Sequence, residues 1–291
     1  MSKLGRRIKK LTREAILGIF INLFPKNRLF DHIYSAVVFL ITHKRLPRSA
    51  LIFNDVLYSL KIGDEILDPL RVFVSDKEFV KLYIAAIVGD KYNVPSIAVL
   101  RDRRLISCFS FPPECCIKPT HLSGRAVFRK ANQDIDLVEI DSWFNINFYT
   151  LSREANYRRL RPKVIIEPLI FSTVNPVDFK FFCYCGVAKL IQVDVDRFVN
   201  HRRKFFDTTW NELSFSSVYK RYEGDIAKPD NLDEMLSIAS RLSERFSFVR
   251  IDMYSDNDRV LVGEITNCSE SACAVFIPKS GEILASALIF S

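Results

Sequence analysis

FSFVRIDMYSDNDRVLVGEITN, residues 246–267, decides how this chain is read. FSFVRIDMY and RVLVGEIT are rich in β-branched and aromatic residues, and Ser255, Asp256, Asn257 and Asp258 between them have turn chemistry. The stretch therefore predicts two strands joined at a polar turn. Asp252 and Glu264 stand mid-strand among Val, Ile and Leu. An ionised carboxylate there costs several kcal/mol unless it is paired or bound to a metal, and one divalent cation shared by both is the economical explanation. The alternatives are pairing with Arg250 and Arg259, or an edge strand with its polar face in water. Register separates these readings. A two- or four-residue loop centred on Asp256 and Asn257 puts Asp252 opposite Leu261 and turns Glu264 to the other side, so a shared cation requires an odd-length connection or a bulge.

The chain has 291 residues, 48% of them hydrophobic and 24 of them Phe, enough for two domains or for one domain of several layers. Seven cysteines are an odd number, and neither the Cys183/Cys185 nor the Cys115/Cys116 pair has zinc spacing with a partner half. They read as reduced, mostly buried thiols of a cytoplasmic protein. The formal net charge is +8, and residues 1–13 hold six Lys or Arg and no acid. AILGIFINLF at 15–24 is shorter than the about 20 residues a bilayer span takes, and Pro25-Lys26-Asn27-Arg28 follows where a signal peptide would have small residues. Residues 1–24 read either as a peripheral contact with an anionic membrane surface or as a surface helix packed on the body. Nucleic acid is not expected as a partner, because the remaining basic residues are interspersed with acids and no recognition motif accompanies them.

Ahead of the hairpin, residues 29–60 carry two apolar helical patterns split at Leu46-Pro47. DKEFVKLYIAAIVGDKY reads as a helix capped by Ser75, and VPSIAVL as a short strand. CCIKPT, residues 115–120, is a strand that ends in Lys118, followed by the turn His121-Leu122-Ser123-Gly124 and the returning strand AVFRK. A strand-end lysine before a small-residue turn can hold phosphates, and a surface hairpin with a solvated lysine looks the same. Residues 141–160 read as a helix stopped at Arg161-Pro162, and KVIIEPLI as a buried strand closed by Glu167. Asp178 and Lys180 open the strand FKFFCYCG, which turns at Gly186 into VAKLIQVDVDRF. DRFVNHRRKFFD gathers Arg197, His201, Arg202 and Arg203, either an anion-binding cluster or a solvated basic loop. NLDEMLSIASRLSERF, 231–246, is an amphipathic helix that delivers the chain into the hairpin.

Taken in order, DKEFVKLYIAAIVGDKYNVP, CIKPTHLSG, VIIEPLI, DFKFFCYCG, DRFVNHRRKFFD, KPDNLDEMLSIASRLS, FVRIDMY and GEIT resemble successive blocks of the TupA-like ATP-grasp proteins of bacterial cell-surface polysaccharide biosynthesis. The resemblance implies an α+β, ATP-grasp fold: two α/β lobes with the nucleotide cleft between them, preceded by a helical N-terminal segment. The implied divisions are a basic and apolar helical segment at 1–45, an N-terminal α/β subdomain at 46–110, a first lobe with phosphate loop and hinge strand at 111–170, and a second lobe with the metal-binding hairpin at 171–291.

What the resemblance implies for single residues is equally definite. Lys77 and Lys118 would contact the phosphates of ATP, with Ser123 and Gly124 in the phosphate loop, and Glu167 would lie at the hinge by adenine and ribose. Lys180 would line the cleft and act in catalysis with Arg250, which stabilises the transferred phosphoryl group. Asp252 and Glu264 would bind Mg²⁺, with Asn267 as a third ligand. Arg197, His201 and Arg203 are expected to recognise the carboxylate substrate. Three departures stand out: Leu122 in a loop that is usually glycine-rich, Thr266 where many ATP-grasp enzymes have Asn, and no glycine in CSESACAVF. The implied activity is an ATP- and Mg²⁺-dependent carboxylate-amine ligase working through an acyl-phosphate. It would join a glycan uronate or amino acid carboxyl to an amine, on a glycan, sugar-nucleotide or lipid-linked precursor, in the cytoplasm or at the inner face of the membrane. The alternatives are a sugar kinase of the same fold and a catalytically degenerate member, an ATP-binding or scaffold protein at the membrane surface.

Overall fold

The apolar patterns split at Leu46-Pro47 fold into α1 (Arg28–His43) and α2 (Phe53–Ile62) in a computed structural model that describes residues 24–174, 176–197 and 199–291. Asn27 caps α1 by accepting from the Phe30 N–H at 3.2 Å. Apart from Phe24, the basic and apolar stretches at 1–24 lie outside the described residues. Among the described residues no helix is long and apolar enough to cross a membrane. Two short helices follow, α3 (Pro69–Val74) and α4 (Phe79–Ile87). The turn between them differs from expectation: the Ser75 hydroxyl donates back to Arg71 O at 2.7 Å instead of capping, and the Asp76 carboxylate accepts from the Glu78 N–H at 2.9 Å. Residues 76–78 are thereby set apart from α4 and presented to their surroundings.

The first sheet consists of β1 (Ala98–Leu100), β2 (Cys115–Pro119), β3 (Val127–Arg129) and β4 (Val164–Glu167), antiparallel in the order β1-β4-β2-β3. β1 comes from the 46–110 stretch, which its pairing joins to this sheet. The single helix expected at 141–160 is instead broken into α5 (Leu137–Ser142), α6 (Phe148–Ser152) and short 3₁₀ turns. Asp136 and Asn147 start the two helices as side-chain caps, and Arg153 ends the second in the left-handed region, fully buried with Asp31 at 3.0 Å. Ile117, Leu122, Trp143, Val164 and Ile166 pack together as the core of this lobe.

The second sheet begins with β5 (Asp178–Tyr184), β6 (Val187–Val195) and β7 (Arg202–Phe206). The basic stretch before residue 206 therefore ends as a strand rather than as a loop. After β8 (Ser216–Ser217) and α7 (Leu232–Ser243) come β9 (Phe248–Ser255), β10 (Val260–Thr266), β11 (Phe276–Ile277) and α8 (Gly281–Ile289). The order is β10-β9-β5-β6-β7, all antiparallel, with β11 paired to β8. Successive side chains of a strand go to opposite faces. Phe179, Phe181, Ile191, Val193, Val249 and Ile251 form one face, buried under Met235, Ala239 and Leu242 of α7; each such side chain contributes about 1.5–3 kcal/mol by leaving water. The other face is divided. Phe182, Phe205 and Phe248 pack at one end with Phe53 of α2 and Phe276, while Lys180, Asp194, Arg203, Arg250 and Asp252 crowd the other.

Residues 256–259 turn β9 into β10, with Asn257 at φ 73°. Leu261 pairs with Tyr254, not with Asp252, so the turn is centred one residue later than expected. Between Val262 and Glu264 the register shifts: Gly263 is bulged out and Glu264 stands directly opposite Asp252. β10 is also the edge strand of the sheet.

Candidate nucleotide and metal site

Direct cross-strand partners share a face of the sheet, so the bulge at Gly263 brings Asp252 and Glu264 to the same side, where both line a cleft of about 360 Å³ between the two sheets. A side chain at 263 would collide with what holds the bulge: an added Cβ would lie 2.6 Å from Cε2 of Tyr254. From the other lobe, Lys77, Lys118, Gly124 and Arg125 line the same cleft.

Lys77 connects the two sides. Its Nζ donates to Leu122 O at 2.7 Å and lies 3.7 Å from Glu264 Oε1, while its backbone N–H donates to Thr120 O at 3.1 Å. Leu122 itself is no obstruction, because its side chain is buried in the core of the first lobe and only its backbone faces the turn. Gly124 has φ +73° with nothing within 4 Å of where a Cβ would be, so the loop backbone is open to a close ligand. Ser123 lines an adjoining recess with Gly124 and Arg125.

Deeper on this side, Glu167 accepts from Lys118 Nζ at 2.8 Å and pairs with Lys81 Nζ at 2.7 Å. Burial pushes the Glu167 carboxyl up, but the two lysines outweigh it and hold the group below its ordinary value. The neighbouring Cys116 thiol has no such compensation that prevails, and burial drives it up to about 11.

On the second sheet the charges are locked to each other. Arg250 holds Asp252 with two bonds of 2.6 and 2.8 Å and reaches Ser269 Oγ at 2.6 Å, and Lys180 Nζ donates to Asp252 Oδ2 at 2.9 Å. Burial opposes ionisation of Asp252, yet Arg250 and Lys180 hold its pKa below the ordinary value. Arg197 Nη1 donates to Asp178 Oδ2 at 2.9 Å, whereas the buried Asp178 Oδ1 has no hydrogen-bond partner among the described residues. Arg203 grips Asp194 through Nε and Nη2 at 2.6 and 3.1 Å, and His201 stacks on Tyr219 with centroids 3.6 Å apart.

Lys77, Lys118, Gly124, Arg197, His201, Asp252 and Glu264 thus meet in one cleft, and three expectations need correction. Lys180 does not line it; the lysine is buried among Asp178, Asp194 and Asp252, one strand further into the sheet. Arg203 is consumed by Asp194 and by Ser217 O and Oγ, which leaves its fork of donors no face for an external carboxylate. Asn267 is an odd number of residues from Glu264 and goes the other way, accepting from Arg71 Nη1 at 2.9 Å and donating to Arg71 O and Ser75 Oγ. Sequence reading missed Asp178 and Tyr254 as lining residues, although each lies two residues from a named one and so on the same face of its strand.

Among the described residues, no three acid, histidine or cysteine side chains converge where they could hold a metal ion. Two hard carboxylate donors on one face suit Mg²⁺, which is commonly held by one or two carboxylates and completed by phosphate oxygens and water. The donor set therefore fits a cation that arrives with a phosphorylated ligand, not one caged by protein alone.

None of the curated proteins matches the sequence. Among solved structures, the ATP-grasp ligase PsnB complexed with minimal precursor is similar at 14% identity and TM-score 0.41, with 81% of this chain and 67% of that one covered. D-Alanine-D-alanine ligase from Helicobacter pylori is similar at 16% identity and TM-score 0.39, covering 69% and 56%, and the D-cycloserine synthetase DcsG at 15% and 0.41, covering 76% and 70%. The TupA-like ATPgrasp family matches residues 58–289, most of the chain and every element that lines the cleft. On that match, the chain belongs to the TupA-like ATP-grasp family.

Proposed function

We propose that this protein is an ATP- and Mg²⁺-dependent carboxylate-amine ligase of cell-surface polysaccharide biosynthesis, joining a uronate or amino acid carboxyl to an amine. The observation that supports this reading best is the pairing of Asp252 with Glu264 across the bulge, facing Lys77, Lys118 and Gly124 over one cleft. Lys77, Lys118 and the amides of the 123–124 turn hold the phosphates, with Glu167 beside the ribose and adenine. Asp252 and Glu264 hold Mg²⁺, which offsets phosphate charge when bound. Lys180 and Arg250 are positioning residues for Asp252, and Arg250, behind that carboxylate rather than on the cleft wall, offsets the charge of the transferred phosphoryl group from there. Arg197 and His201, beside Tyr219, receive the carboxylate substrate.

The balance of the reaction is simple. A carboxylate oxygen bonds to the γ-phosphorus as the bond to ADP breaks; the amine then bonds to the acyl carbon, phosphate leaves, and the amine proton goes to solvent. Residues 1–24 contribute a peripheral contact with the inner face of the membrane. Purified protein given Mg·ATP, glucuronate and an amino acid should release ADP and phosphate only when the amine is present. Release of AMP excludes the mechanism, and a stable phosphorylated sugar formed without amine identifies a kinase. If Mg·ATP leaves the melting temperature unchanged, the protein is a scaffold, because a ligand that binds only the folded state must stabilise it.

A further inference from the structure

Alternate residues of the 76–78 turn serve two cavities. Lys77 lines the cleft, whereas Asp76 and Glu78 line a second cavity of about 880 Å³ that shares no lining residue with the first. Its volume is within the about 300–1,000 Å³ typical of small-molecule sites. Its floor is apolar, built from Leu67, Val72, Leu160 and the stacked pair Phe73 and Phe79, whose rings are 5.3 Å apart and 11° from parallel. Leu67 and Phe79 stay 43% and 39% exposed, so the floor reaches the cavity mouth.

The rim carries the opposite character. Six cationic side chains, Arg28, Arg101, Arg158, Arg159, Arg161 and Lys163, face two carboxylates, a surplus of four. The two acids are already used: Lys163 pairs with Asp76 at 3.0 Å and Glu78 at 2.5 Å, and Arg101 pairs with Glu78. Arg28 is spent on Ile62 O and Gly63 O. Among the described residues, Arg158, Arg159 and Arg161 make no ion pair, and all three are exposed; Arg158 lies over the Tyr149 ring, 5.4 Å from its centroid, and donates to Lys26 O at 3.4 Å. Three guanidiniums within four residues repel one another, and planar forks of donors gathered without counter-charge match a multiply charged phosphate. A phosphate alone would leave the aromatic floor without use.

We infer that this cavity binds a phosphorylated amphiphile, its phosphate on Arg158, Arg159 and Arg161 and its hydrocarbon portion against Leu67, Phe73 and Phe79. The site is independent of the ligase reading, because none of its residues lines the nucleotide cleft. Calorimetric titration of the full chain with farnesyl diphosphate, inorganic pyrophosphate and farnesol tests it. Farnesyl diphosphate should bind at least about tenfold more tightly than either fragment, and more weakly as salt is raised. Arg159→Glu with Arg161→Glu should weaken it by about tenfold or more, and Val72→Trp, which fills the floor, should weaken farnesyl diphosphate but not pyrophosphate. Unchanged circular dichroism and urea midpoints show that the variants fold. Equal affinity for farnesyl diphosphate and pyrophosphate overturns the proposal, as does equal affinity for farnesol or indifference to the arginine substitutions.

Discussion

Two acids on the same face of the second sheet have opposite surroundings. Asp194 of β6 is 1% exposed and clamped by two bonds from Arg203, while Glu264 of β10 is 28% exposed in its side chain and, among the described residues, makes an ion pair with Lys77 alone, at 3.7 Å. The interior of the sheet tolerates a carboxylate only if the protein neutralises it completely, so Asp194 belongs to the architecture. At the edge strand, water shares the work, and the acid can be left short of partners for a ligand to complete. Glu154 is a third case: it is buried, Lys61 and the Ser271 hydroxyl favour its charged form, and Lys61 Nζ is itself bound to Ser271 Oγ at 2.8 Å. Burial nonetheless pushes the Glu154 carboxyl up to about 7.

Breaking the complete pair should do the most damage. Arg203→Met leaves Asp194 charged and buried without its partner, and should cost about 3–5 kcal/mol in urea unfolding. A loss under about 1 kcal/mol would erase the contrast between interior and edge. Glu154 gives the next effect, and its sign is opposite to that of Asp194. The native state keeps the Glu154 proton from pH 4.5, where the unfolded chain releases it, to about pH 7. Stability should therefore fall as pH rises through that window, by up to about 3 kcal/mol, and Glu154→Gln should flatten the slope. Asp194 is held below its ordinary 3.8, so its contribution is present above that pH and lost in acid.

Gly263→Ala forces the Tyr254 ring to move and should cost about 1–3 kcal/mol, together with a smaller rise in melting temperature on adding Mg·ATP. Glu264→Gln should change stability least, by less than about 1 kcal/mol, yet remove that Mg·ATP response. A response that survives in Glu264→Gln would move Glu264 into the architectural class with Asp194.

The strand content was legible because apolar alternation and turn residues mark each strand locally, as in CCIKPT and KVIIEPLI. The cleft was legible mainly through the family resemblance, which pointed to Lys77 and Lys118, while Asp252 and Glu264 stood out as carboxylates inside apolar strand patterns. Pairings across the sheet were not. Lys180 and Arg203 look equally available in the sequence, and only the order β10-β9-β5-β6-β7 places one among three aspartates and the other against Asp194. The broken helix at 141–160 has the same origin: Arg153 leaves helical geometry to reach Asp31, 122 residues away. The bulge did leave a trace, since an isolated glycine within a strand pattern, as in VLVGEIT, signals one.

That single extra residue acts as a phase reversal. Upstream of Gly263 the strand keeps one parity of inward and outward positions and downstream it keeps the other. The bulge is therefore more critical than the length of β10: if Gly263 paired regularly with Asp252, Glu264 would fall opposite Ile251 and turn to the core, and Ile265 would be aimed at the cleft.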